Sequence, residues 1–219
     1  MTASHSVFPH YTIRERQVDA VIHVLGLFAA PLAIVWFFAS AAPELTIGRI
    51  VTGTIYCCGL IGMLTASALY NMAPHGRGKA LFRRLDHSMI FVMIAGTYTP
   101  LSITALAPHL GIPLCIAIWS IAGVGVTLTL ARPDRHKRLA LCLYLGMGWM
   151  VLPLVPALAG TLPAVTMALV LAGGLVYSLG AFVHTRVGLP FHNPLWHAMV
   201  LAAAALHLVA LEQVIALPA

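Results

Sequence analysis

SALYNMAPHGRGKALFRRLDHSMIFVMIAGTYTPL, Ser67 to Leu101, contains the end of one apolar run, a basic connector and the start of another apolar run. That alternation decides the fold class, because it recurs outward in both directions. Continuous apolar runs are read at 18–40, 49–72, 87–106, 110–131, 139–158, 162–184 and 195–217. A helix crosses the bilayer core in about 20 mostly apolar residues, and each run is long enough. The runs are continuous rather than alternating with the dyad period of a barrel strand, so helices must satisfy the backbone in lipid. The expectation is an all-α, integral membrane seven-helix bundle. Residues 1–219 form a single domain, with residues 1–17 as a short cytoplasmic N-terminal segment.

Composition agrees with that reading. The chain is 60% hydrophobic and only 8% charged, against about 25% charged in soluble domains. The first run is too long for the apolar segment of a cleavable signal. Cys57, Cys58, Cys115 and Cys142 lack metal-type spacing and are expected to be small core residues.

The net charge of +6 is unevenly placed. Arg14 and Arg16 precede the first run; Arg77, Lys79, Arg83 and Arg84 follow the second. Arg132, Arg135, Lys137 and Arg138 follow the fourth, and Arg186 follows the sixth. Of the 12 basic residues only Arg49 falls on the other side. The positive-inside rule then puts the N-terminus in the cytoplasm and, with seven spans, the C-terminus outside. The basic connectors face anionic headgroups, so membrane lipids are the expected partners and a nucleic-acid role is excluded. No feature of the sequence sets an oligomeric state.

On the same basic side several polar residues fall at span ends. Asp19 and His23 start the first span, and Ser67 and Asn71 close the second. Asp86 and His87 open the third, while Asn193 and His197 open the seventh. Three of these pairs are spaced i, i+4 and share a helix face. Each has a bland explanation: Asp86 as an N-terminal cap, Ser67 bonded to its own helix, Asn71 as a C-terminal residue. His207, about 15 Å deeper along its helix, reads as a structural hydrogen-bonder. The convergence on one membrane depth is what singles the group out.

ERQVDAVIHVLG (Glu15 to Gly26), SALYN (Ser67 to Asn71), RRLDHSMIFVMIAGTYTPL (Arg83 to Leu101) and LWHAMVLAAAALH (Leu195 to His207) lie in order on these spans. Through them the chain resembles the bacterial hemolysin III family, within the progestin and adipoQ receptor superfamily. The resemblance implies a cytoplasmic N-terminus, a bacterial inner membrane and, from the family name, cytolytic activity. In the superfamily a zinc ion is held by three histidines from Ser-x-x-x-His on the second helix and His-x-x-x-His on the seventh. An Asp on the third helix and that Ser hold a water. Relatives with this site are linked to ceramide hydrolysis, and such a zinc activates a water.

Carried over residue by residue, Ser67 and Asp86 take the catalytic positions and His197 one ligand position. Asn71 and Asn193 stand where the other two histidines are expected. His23 and His87 are implied to lie close by, and His192 is one residue out of place, a rotation of about 100°. Asp19 stands where bacterial relatives carry Asn; it either compensates for a lost ligand or pairs with Arg16. An amide is a poor zinc donor, so the metal set His197, Asn71, Asn193 and His23 is expected to be degenerate, with zinc absent or weakly bound. The expected function is accordingly a non-enzymatic factor in membrane or energy homeostasis or permeability. No span carries the polar stripe of a pore. The alternatives are a zinc-dependent, ceramidase-like lipid hydrolase with an altered site, and a lipid-sensing, receptor-like module.

Overall fold

The computed structural model of the chain describes residues 11–74, 76–131 and 137–218. His5, His10, His75, Arg132, Pro133, Arg135 and His136 lie outside the described residues. Eight α-helices are present among those described: α1 (Ile13–Ser40), α2 (Ile47–Met72), α3 (Arg77–Ala105), α4 (Pro108–Ala131), α5 (Lys137–Gly148), α6 (Val155–Ala159), α7 (Ala164–Thr185) and α8 (His192–Ile215). They make seven spans long and apolar enough to cross a membrane, the fifth running over Arg138–Ala159 through α5, a 3₁₀ turn and α6. The protein is a multi-pass, all-helical membrane protein. Its outer faces are apolar, with Phe28 and Leu32 about three-quarters exposed at 75% and 74%, as expected where lipid is the solvent.

Three departures from the sequence reading are the largest. First, α1 starts at Ile13, inside the segment expected to precede it. Thr12 caps it, accepting from the Glu15 amide at 3.2 Å while Glu15 accepts from the Thr12 amide at 2.8 Å. Second, α3 begins at Arg77 rather than His87, so Asp86 and His87 lie well inside the helix and the capping explanation for Asp86 falls. Long basic side chains let a helix continue through the interface, with their stems along apolar surface. Lys79 does this over the Tyr70 ring, 5.3 Å away, while its Nζ donates to the Ala73 carbonyl.

Third, the fifth span is broken between Gly148 and Val155, near Pro153 and Pro156. The Tyr98 hydroxyl mends the break: it donates to the Gly148 carbonyl at 3.0 Å and accepts from the Val151 amide at 2.9 Å. Broken backbone in a membrane needs such partners. The cysteines are also a partial correction. Cys57 is buried, but Cys58 and Cys142 are exposed on outer faces, where a small apolar thiol meets lipid at little cost.

α8 packs against α1 and α7 and also touches α2 and α3, closing the bundle. The core concentrates at the end away from the basic connectors, where Phe37, Tyr56, Ile118, Leu158, Leu211 and Ile215 are fully buried. Glycines bring the backbones together there. A methyl at Gly96 would stand 3.5 Å from the Tyr56 Cα, and one at Gly111 only 2.0 Å from the Ser102 carbonyl oxygen. Small residues at helix contacts are the usual device for close packing in lipid. Arg49, the lone basic residue at this end, donates to the Glu44 carbonyl at 2.9 Å and the Leu217 carbonyl at 2.5 Å, tying the connector before α2 to the residues just after α8.

Candidate active site

Antiparallel spans bring the start of α1, the end of α2, the first half of α3 and the start of α8 to one end of the bundle. A direct link sets the register of α1 against α8. Glu15, already part of the α1 cap, also accepts from the Phe191 amide at 2.9 Å. Phe191 holds a left-handed conformation, φ 57°, ψ 18°, which turns the chain into α8.

With the two helices level, their i, i+4 pairs interlock. The His197 Nδ1 hydrogen is donated to Asp19 Oδ1 at 2.5 Å. Asn193 Nδ2 donates to Asp19 Oδ2 and to Asn71 Oδ1, both at 3.3 Å. Asn71 Nδ2 donates to the Ser67 carbonyl at 2.9 Å and approaches Ser67 Oγ at 3.5 Å. Ser67 Oγ in turn lies 3.2 Å from His23 Nε2 and 3.5 Å from His197 Nε2. The contacts close a ring, Asp19–Asn193–Asn71–Ser67–His197, across three helices. His23 stands beside it, its ring edge-on to His197 with centroids 4.5 Å apart and its Nδ1 hydrogen donated to the Asp19 carbonyl at 2.8 Å. Asp19, His23, Asn193 and His197 are each at least nine-tenths buried.

Asp86 faces Ser67, His23 and His197 from α3. Of the residues singled out by sequence, Ser67, Asn71, Asp86, Asn193, His197 and His23 are thus all brought together. His87 is on the same wall, its carbonyl accepting from the Tyr144 hydroxyl at 2.8 Å. His192 is not part of the cluster: its Nδ1 hydrogen goes to the Leu189 carbonyl, and its ring faces Tyr11 and His184. His207 donates to the Val170 carbonyl, the structural part expected of it. Asp19 does not pair with Arg16 but holds His197, a role that needed the azimuths of α1 and α8 and had no signal beyond the i, i+4 spacing. Glu15 as the link between those helices, and Tyr98 at the helix break, were likewise invisible as roles.

The cluster opens on a cavity of about 700 Å³ that reaches down the bundle past Tyr98 and Tyr177 to His207. Tyr11 stands at its mouth, before the first span. Burial, helped by Tyr70, Asp19 and Glu15, pushes its phenol up to about 12, so it remains a neutral hydroxyl.

The three-histidine zinc set does not fit these residues. Asn71 and Asn193 turn N–H donors, not lone pairs, toward Ser67 and Asp19, and a metal needs lone pairs. Asp19, His23 and His197 do bring three buried donor atoms within 4.8 Å of one another. Here, however, His197 Nδ1 spends its hydrogen on Asp19 and His23 Nδ1 on a carbonyl. Those bonds leave the Nε2 lone pairs of both histidines facing Ser67, so the same two atoms are open either to the serine proton or to a cation.

Comparison with known proteins places the chain in a family. The chain is 32% identical to a protein named Hemolysin-3 homolog from Bacillus subtilis (strain 168), over 89% of this chain and 92% of that one. It is 30% identical to Hemolysin-3 of Bacillus cereus, over 89% of each. It is 28% identical to the human Monocyte to macrophage differentiation factor, over 72% of this chain and 67% of that one. A family model described as Haemolysin-III related matches residues 11–208. On a match covering nearly the whole chain, this protein belongs to the Haemolysin-III related family.

Proposed function

We propose that the protein is a hydrolase of the cell membrane that cleaves an ester or amide bond in a membrane lipid. The basic end of the bundle faces the cytoplasm, by the charge bias. The observation that carries this reading is the placement of a mutually hydrogen-bonded Asp–His–Ser cluster, its Asp and His buried and its Ser partly so, at one end of an apolar cavity. A volume of about 700 Å³ falls in the range of small-molecule sites, which combine apolar walls with a few convergent polar groups. An acyl chain suits the walls, and the scissile carbonyl suits the polar end. Ser67 and Asp86 stand at the reacting position, with His197 and Asp19 behind Ser67. Asn71 and Asn193 hold the ring in register in place of metal-binding histidines, and the zinc of the three-histidine pattern takes no part.

The non-enzymatic membrane role favoured by sequence leaves the buried cluster without a task, and so does a lipid-sensing role. Cytolysis is carried only by the relatives' names. The test is direct. The protein is reconstituted in vesicles of bacterial lipid extract doped with ceramide, and released fatty acid is followed by mass spectrometry. Release above that from empty vesicles is expected, with a loss of at least about 10²-fold in His197→Ala. No release from any lipid class would return the protein to the non-enzymatic reading.

A further inference from the structure

We infer that Ser67 is itself the nucleophile of this site, forming a covalent acyl-enzyme, rather than a residue that only holds a water. The inference rests on the hydrolase reading above and deepens it. The tautomers decide the chemistry. His197 Nδ1 and His23 Nδ1 both face oxygens that can only accept, so both carry hydrogens. Their Nε2 atoms are therefore lone pairs, and both point at the Ser67 hydroxyl, at 3.5 and 3.2 Å.

Only one can take the serine proton. His23 is the closer, but behind it stands a neutral carbonyl. Behind His197 stands the buried Asp19 carboxylate at 2.5 Å, which stabilises the imidazolium formed when His197 accepts a proton. His197 is therefore the base, and Asp19 its positioning residue. Asp86 is the third acceptor facing Ser67 and, from α3, is placed to orient the hydroxyl or an incoming water. The Asn71 amide, 3.5 Å from Ser67 Oγ, offers an N–H donor beside the reacting hydroxyl.

In the first half-reaction Ser67 Oγ bonds to the lipid carbonyl carbon as its proton passes to His197 Nε2. The bond from that carbon to the leaving oxygen or nitrogen breaks, and His197 gives the proton to the leaving group. The acyl chain is left as an ester on Ser67. Water then adds to the ester, its proton passing to His197. The Ser67–carbon bond breaks, His197 returns the proton to Ser67 Oγ, and the chain departs as a carboxylic acid.

The experiment uses the intact protein in nanodiscs, treated with a long-chain alkyl fluorophosphonate and mapped by peptide mass spectrometry. One adduct on Ser67 is expected, absent in Ser67→Ala and unaffected by EDTA. Asp19→Asn should label about 10²- to 10⁴-fold more slowly with an unchanged melting temperature, and Asp19→Glu should recover part of the rate. That split separates a positioning role from a merely structural one. An adduct at another residue, or lipid turnover that survives in Ser67→Ala, overturns the inference while leaving the hydrolase reading intact. Turnover abolished by EDTA and restored by zinc assigns Asp19, His23 and His197 to a metal and overturns it equally. Absence of both label and turnover removes the hydrolase reading, and the inference with it.

Discussion

The two ends of the bundle are built on opposite terms. Away from the basic connectors, helices meet backbone to backbone: Gly96 lies on Tyr56 and Gly111 on the Ser102 carbonyl, over side chains with no exposure at all. At the basic end the bundle opens on a cavity of about 700 Å³. What joins α1, α2 and α8 there is a ring of hydrogen bonds through Asp19, Asn193, Asn71, Ser67 and His197. Dispersion contacts are individually small and need close approach, whereas a few directional bonds hold side chains across open space. The closed end thus supplies rigidity, and the open end is free to carry chemistry.

Changes at either end should sharpen or erase that contrast. The largest effect is expected from converting the ring to a metal clamp. Asn71→His with Asn193→His should bind about one zinc per chain by elemental analysis, and raise stability by about 4 kcal/mol at a thousand times Kd. If the double variant binds none, the correspondence of these positions with the family's ligands is wrong. Next comes Gly111→Val, which drives a side chain into the Ser102 backbone and should cost about 3 kcal/mol in thermal unfolding in detergent. A melt like wild type would mean that α3 and α4 are not in close contact.

Tyr98→Phe should cost about 2 kcal/mol, because it orphans the Gly148 carbonyl and the Val151 amide at the helix break. Hydrogen exchange should rise at Val151 before it rises elsewhere. The smallest effect, a gain of about 0.5 kcal/mol, is expected for Phe191→Asn. Asn tolerates the left-handed backbone better than Phe does. A loss there would show that the Phe191 ring, not its backbone, holds the turn.

Most of the architecture was legible in the sequence. Seven long apolar runs leave a chain little choice in lipid, and eleven basic residues on one side make the alternation plain. The start of α3 was not legible, because hydropathy scores Arg77 to Arg84 as a connector and cannot see long stems lying along a helix. Arg49 was legible as an exception to the charge bias but not as a clamp on Leu217, which needs two stretches far apart in sequence side by side. The site shows the same division. That Ser67, Asp86, His23 and His197 share one end follows from counting spans. That Asp19 holds His197, while His192 one residue earlier than Asn193 turns away, depends on helix rotation, which no linear pattern records.

The Glu15 link has a consequence for how this protein tolerates change. Glu15 accepts from a main-chain N–H of Phe191, a group that every residue except proline supplies. Position 191 is therefore free to drift so long as its backbone keeps the turn, while position 15 is not. Saturation mutagenesis should find them unequal. Many residues should survive at 191, Pro should fail there, and even the close relative Gln should be penalised at 15.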